Sequence, residues 1–236
     1  DGLIPWLAAR RFIAPQFHTF KPEYGYMAGL VYQAQFIDQR SLSQMTRADF
    51  QRLARDLQSR LPDTLIDRAM HRLPPAVFAL EGARLGAALK ARRQTLPQAA
   101  EAYYFTLARE PLLGGTAAQP ERFVVHRYPD STTVRVYSPS PDRFPTGDSL
   151  RFRRTYFTAE THELTLDGLG GDDVFEVIST GAGKPIPLLL YGGAGHDVLH
   201  LQGPARRLKL YDEDSGMSAA GSLHPHLPKK RHRAYD

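Results

Sequence analysis

The sequence predicts an α+β fold: a helical N-terminal half packed against an all-β C-terminal half of short solenoid-like or sandwich strands with Gly-Asp turns. Three observations carry that expectation. Between 41 and 110, apolar residues recur at three- and four-residue steps, the spacing of one helix face. After 121 the period changes to two, the alternation of a strand with one buried face. Two glycine–aspartate phrases, GLGGDDVFE at 168–176 and GGAGHDVLH at 192–200, then repeat with a strand before and after each copy. Three segments follow: 1–115 mainly helical, 116–220 all-β, and 221–236 a basic linker.

Residues 1–40 mix aromatics with prolines, and Trp6 reads as a core residue. Gly25 and Gly29 punctuate YMAGLVYQAQF, which reads as a strand or strand pair. The first long helix carries an apolar stripe of Leu42, Met45, Phe50, Leu53, Leu57 and Leu61. Thr46 followed by Asp49 is close to a capping box, which satisfies amide groups at a helix start. Pro62 and Asp63 stop this helix and start the next, with Leu65, Ile66, Ala69 and Leu73. Pro74-Pro75 breaks the pattern, because proline lacks the amide hydrogen a helix interior needs. Further helical segments pass through Leu80, Leu85 and Leu89, then Ala100, Tyr103, Tyr104 and Leu107. Glycine and proline mark 110–120 as a linker.

In the β half, RFVVHRY and TVRVYS form a hairpin about a Pro-Asp turn, with Phe123 and Val125 facing Val134 and Val136. Leu150, Phe152, Arg154 and Tyr156 alternate along 149–157. HELTL, DVFEV, IPLLLY, DVLHL and RRLKLY follow as short strands.

The glycine–aspartate phrases are the candidate site. Gly171 aligns with Gly195, Asp173 with Asp197, Val174 with Val198 and Phe175 with Leu199. The second copy matches the G-G-x-G-x-D-x-U-x nonapeptide of calcium-binding β-rolls. A repeated strand–turn–strand unit stacks, because one layer alone cannot bury its apolar face. Stacked aspartates repel by about 3 kcal/mol at an effective dielectric near 20, and a divalent cation reverses that sign. Hard oxygen ligands select Ca²⁺, so Asp172, Asp173 and Asp197 are candidate calcium ligands. The other open reading is a metal-free turn, whose aspartates swing into water or cap the backbone. A β-roll repeats every nine residues in many copies, and here there are two copies with STGAGKP inserted. DEDSG at 212–216 starts like an EF-hand loop but has Leu223 where that loop needs Glu.

Composition narrows the function. The chain has no cysteine, which excludes disulfides, thiolate metal sites and a Cys nucleophile. No apolar run is long enough to cross a bilayer as a helix. Net charge is +5, but the one dense basic run is KKRHR at 229–233, so nucleic acid is not an expected partner. G-x-S-x-G, H-E-x-x-H and phosphate-loop motifs are absent. His200, His224 and His226 read as linker or surface rather than a zinc site, and His71 as a helix surface residue. Lys90, Arg92 and Arg93 share a helix; they read as a solvated face, or as a basic clamp with Arg92 or Arg93 on a phosphate. The chain opens at Asp1 and reads as a piece of something longer.

The order of phrases carries a resemblance. DGLIPWLA, DQRSLSQMTRADFQRLARDLQSRL, RLPPAVFAL, LKARRQTLPQAAEAYYFTLA, TYFTAETHELTLDGLGGDDVFEV and LLLYGGAGHDVLHL resemble a stretch of large multi-domain bacterial envelope proteins. Those are described as metallophosphoesterases or surface-antigen outer-membrane proteins. The resemblance implies that 41–110 is the C-terminal helical part of a CotH-kinase-like region whose nucleotide and metal ligands lie upstream. It implies an outer-membrane barrel downstream and a location in the periplasm or outer membrane. It transfers no catalytic residue. Its partners are the upstream and downstream domains of the same polypeptide, with the membrane reached only through the barrel. The reading is a non-catalytic connecting segment, with calcium at the bends and a metal-free turn both open; the alternative is part of a phosphotransferase or metallophosphoesterase completed by residues outside this chain.

Overall fold

The computed structural model describes residues 20–117, 119–139, 148–211 and 218–220. Trp6, DEDSG, His224, His226, KKRHR and the basic linker expected at 221–236 lie outside the described residues. The elements are mixed α+β. They divide into two compact units: residues up to 38 with 45–107, and 39–44 with residues from 108 onward.

The helical elements are α1 (Met27–Leu30), α2 (Gln35–Ser41), α3 (Arg47–Arg60), α4 (Asp63–Met70), α5 (Pro75–Val77), α6 (Ala83–Gln94) and α7 (Leu96–Ala108), with a π turn at Phe78–Gly82 between α5 and α6. The run read as a strand pair is instead α1 and the start of α2. Leu30 and Val31 donate their amides to Tyr26 and Met27 carbonyls, so the segment satisfies its backbone locally. An apolar run this short does not separate helix from strand by periodicity.

The capping box at α3 is closed in both directions. Asp49 N donates to Thr46 Oγ1 at 3.3 Å, and Thr46 N donates to Asp49 Oδ2 at 3.0 Å. The Thr46 hydroxyl, which donates to Asp49 Oδ2 at 2.7 Å, then the Thr46 amide and Arg52, hold the Asp49 carboxyl down at about 2. The buried face of α3 carries Phe50 and Ala54. The Phe50 ring meets Tyr103 and Tyr104 edge-on, at 5.5 and 5.7 Å between centroids, a favoured aromatic geometry. Leu53 and Leu57 do not join this core; they are 45% and 47% exposed. The expected stripe is thus rotated toward Phe50, because the aromatic residues of α7 give it the larger contact.

The strands are β1 (Leu112–Gly114), β2 (Arg122–Arg127), β3 (Ser131–Pro139), β4 (Asp148–Phe157), β5 (Leu164–Asp167), β6 (Val174–Ser179), β7 (Leu188–Tyr191), β8 (Val198–Gln202), β9 (Leu208–Tyr211) and β10 (Ser218–Ala220). They form two sheets, ordered β1-β5-β7-β9 and β10-β8-β6-β2-β3-β4. Every pairing in the first sheet is parallel. In the second, β2, β6, β8 and β10 are parallel, and β3 and β4 extend the sheet antiparallel. Phe123 pairs with Val136 and Val125 with Val134 in the β2–β3 hairpin.

The chain therefore passes between the sheets four times in the same sense: β1 to β2, β5 to β6, β7 to β8 and β9 to β10. Leu164 aligns with Leu188 and Leu208, and Val174 with Val198 and Ser218. One residue in two points inward. Phe123, Val125, Phe175, Val177 and Leu199 are all 0% exposed, as are Leu164, Leu166 and Leu190 from the other sheet. These residues share one apolar cluster, with the Phe123 and Phe175 rings stacked at 4.8 Å.

Residues 110–120, read as a linker, contain β1. Leu112 and Leu113 are 8% and 7% exposed and pair with Thr165 and Leu166. A three-residue strand between glycines and prolines is too short for its alternation to register; only the β5 edge makes it a strand. Residues 39–44 touch the last strands of both sheets. Gln39 Nε2 donates to Glu110 O at 3.1 Å, next to β1, and Arg154 of β4 donates to Ser43 O at 2.6 Å.

Candidate functional site

The bends between the sheets gather the acids. Gly114, Asp167 and Tyr191 align in the first sheet, so Gly115, Gly168 and Gly192 start equivalent bends. Arg122, Val174 and Val198 align in the second, so Glu121, Asp173 and Asp197 end them. Asp173 has the inward parity of Phe175 and Val177, as Asp197 has that of Leu199. Glu121 is 4% exposed, and Asp173 and Asp197 are 0% exposed.

Each aspartate ties its bend to the one before. Asp173 Oδ1 accepts the amide of Glu121 at 2.7 Å, and Asp197 Oδ1 accepts the amide of Asp173 at 2.9 Å. Glu121 Oε2 turns back within its own bend and accepts the amide of Thr116 at 3.0 Å. A carboxylate receiving a backbone N–H makes a charge-assisted bond, stronger than a neutral one.

Gly115 and Gly168 leave room for carboxylates that fold over them. A β-carbon on Gly168 would collide with Asp173 Oδ2 and Gly192 O, and one on Gly115 would lie 2.6 Å from Glu121 Oε2. At Gly195, φ is +137°, and a side chain would also strike the Gly171 carbonyl of the preceding bend.

Asp173 Oδ2 is buried with no hydrogen-bond partner. Burial pushes the Asp173 carboxyl up to about 7. The Glu121 amide opposes that rise, while the charges of Glu121, Asp197 and Asp172 add to it. The interior of the bends can therefore hold a proton at neutral pH.

Of the three residues expected as calcium ligands, the structure couples Asp173 to Asp197 through the amide bond above. Asp172 is exposed, and its Oδ1 accepts the His196 amide at 2.8 Å, tying the same two bends from outside. The sequence reading left Asp173 and Asp197 free to reach water; they do not, because their parity along the strand turns them inward. Among the described residues no three His, Asp or Glu side chains are grouped to hold a metal ion. Glu121 was missed. Its signal is its place, immediately before RFVVHR as Asp173 precedes VFEVIS and Asp197 precedes VLHLQ.

The other candidates are engaged in local structure. Arg92 lies 4.2 Å from the Phe20 ring centroid and donates Nε to Lys21 O at 2.7 Å. Arg93 pairs with Asp63 at 2.7 Å and donates to Leu61 O at 2.8 Å. Lys90 pairs with Asp67 at 2.6 Å. His71, exposed at the end of α4, sits with its ring 4.7 Å from Phe78, and His200 is exposed on β8. No helix among the described residues is long and apolar enough to cross a membrane. The scan of protein-family models, the search of curated proteins and the search of solved structures each find no match to this chain.

Proposed function

We propose that this chain is a non-catalytic connecting segment of a multi-domain bacterial envelope protein, and that its second unit is a short parallel solenoid. The observation that carries the reading is the register. Four passages between two sheets repeat in parallel, and the first three bends carry a glycine and an acid at matching positions. A stack of this kind is a rigid spacer: each layer gains its stability from its neighbours. The partners are the domains before and after it in the same polypeptide, a kinase-like region upstream and an outer-membrane barrel downstream, and the location is the periplasm or outer membrane. That part rests on the resemblance of phrases. Engagement of Arg92 with Phe20 and Lys21 and of Arg93 with Asp63 of α4 speaks for a structural helical unit over a phosphate clamp. Fractionation of cells producing the tagged full-length gene product is the test. Recovery in the envelope fraction, with both flanking domains encoded in the reading frame, is expected; a cytosolic product would end this reading.

A second reading keeps calcium at the bends. The observation in its favour is Asp173 Oδ2, buried and without a hydrogen-bond partner beside two other carboxylates of the column. Against it, Oδ1 of both Asp173 and Asp197 already accepts an amide, a donor that competes with a cation for the same oxygen. Calorimetry of the full chain in calcium and in chelator separates the two. A melting temperature raised by calcium in the wild type and not in Asp173→Asn supports the cation; identical traces leave the bends metal-free.

A further inference from the structure

At the opposite ends of the same strands the charge is reversed. Arg127, the last residue of β2, follows the inward parity of Phe123 and Val125 and is 1% exposed. Its Nη2 donates to Ile186 O at 3.0 Å and to Arg206 O at 2.8 Å, with Arg207 O at 3.5 Å. Ser179 Oγ lies 3.5 Å from Nη1. Arg127 Nε is buried with no hydrogen-bond partner. The guanidinium thus ties the two later connections to the first passage, yet it leaves a donor unmet. Carbonyl oxygens satisfy hydrogen bonds without supplying a counter-charge.

Its neighbours deepen the imbalance. Arg206 reaches Gly183 O at 3.4 Å and Arg207 reaches Pro185 O at 3.2 Å. Burial, and then the nearby Arg207 charge, pull the Arg127 guanidinium down to about 10. No described carboxylate forms an ion pair with any of the three. An isolated buried cation is costly, and such charges are ordinarily paired. Beside Arg127 is a small cavity, also lined by Ser179, Thr180, Gly181 and Arg206, with about 10 Å³ open to a water-sized atom. That is about the space one water takes, on the order of 10–15 Å³, and too little for phosphate or sulfate.

We propose that this cavity is a halide site, taking chloride beside the Arg127 guanidinium with Arg206 at its mouth. A monatomic anion is little larger than a water, supplies a negative charge that no described residue brings, and accepts from an arginine donor that the carbonyls leave unmet. A water would fill the same space and accept the same hydrogen bond without compensating any charge, so the two occupants differ in their salt dependence. The site is independent of the acidic bends.

Two measurements on the full chain test it. In the first, thermal unfolding is followed in sodium chloride and in sodium gluconate at equal ionic strength, and crystals are soaked in bromide. The expected results are a higher melting temperature in chloride that saturates with concentration, and a bromide anomalous peak beside Arg127. Equal melting in both salts, or a crystal whose bromide peaks all lie elsewhere, overturns the proposal. In the second, Arg206→Gln removes an exposed charge without touching the buried core. It is expected to fold and to need several-fold more chloride for the same rise; an unchanged chloride response overturns the assignment of Arg206. Arg127→Met removes the staple as well as the charge, and is expected to lose the chloride response if it folds.

Discussion

Asp173 shows what a single buried carboxyl does to this fold. Its carboxyl is held up to about 7 by burial, against 3.8 in the ordinary case. The folded chain therefore keeps a proton between these values that the unfolded chain releases. Stability from this group is present in full below about pH 4 and is lost as pH rises through 7. A shift of this size is worth up to about 4 kcal/mol, since one unit is about 1.4 kcal/mol. Asp173→Asn keeps the shape without the charge. Urea unfolding in chelator, from pH 4.5 to 8, is expected to show the wild type weakening relative to this variant as pH rises; parallel curves would refute the buried proton. Asp49 runs the other way. Its carboxyl sits at about 2, so its contribution is present above 3.8 and fails only as pH falls toward 2.

Bends and caps decide the elements. Gly168 leaves room for the Asp173 carboxylate, so Gly168→Ala must displace either that carboxylate or the Gly192 carbonyl. Overpacking of this kind costs typically 1–3 kcal/mol, and the lost amide bond to Glu121 adds to it. A fall of about 3 kcal/mol in urea unfolding is expected, and a neutral result would mean that the bends do not hold the carboxylates inside. Thr46→Ala opens the capping box of α3 and is expected to cost about 1 kcal/mol. Leu53→Ser on the same helix, at a position 45% exposed, is expected to stay within about 0.5 kcal/mol. A large loss there would restore the apolar stripe as it reads in the sequence. Much at this scale is legible in the residues. The hairpin about Pro129-Asp130, the capping box and the offset of the glycine–aspartate phrases all follow from local pattern. Strand β1 does not, because Leu112 and Leu113 become a strand only by pairing with β5. Nor does the helix at Met27, where a short apolar run suits either period.

Across the second unit, the stack has an acidic end and a basic end. Glu121, Asp173 and Asp197 close the bends on one side, and Arg127, Arg206 and Arg207 gather at the other. Both buried groups bond backbone of neighbouring passages, so each ties layers together as well as carrying charge. If the stack is a calcium-free spacer, millimolar calcium leaves its unfolding temperature where chelator leaves it, and calorimetry on the whole chain checks this. A rise in calcium, at about 2.7 kcal/mol for a hundredfold excess over Kd, would return the cation to the bends.

The sequence by itself determined the change of period from helix to strand, the caps and breakers, and the repeat that sets Asp173 level with Asp197. All of these are written in neighbouring residues or in a fixed offset. Only the tertiary structure decided that Glu121 belongs to the same column, for the β3–β4 hairpin separates it from Asp173 along the chain. Only it turned the aspartates inward and set Arg127 among the carbonyls of distant connections. Parallel pairing joins residues far apart in sequence, and the side of a strand that meets water is settled by the sheet packed against it.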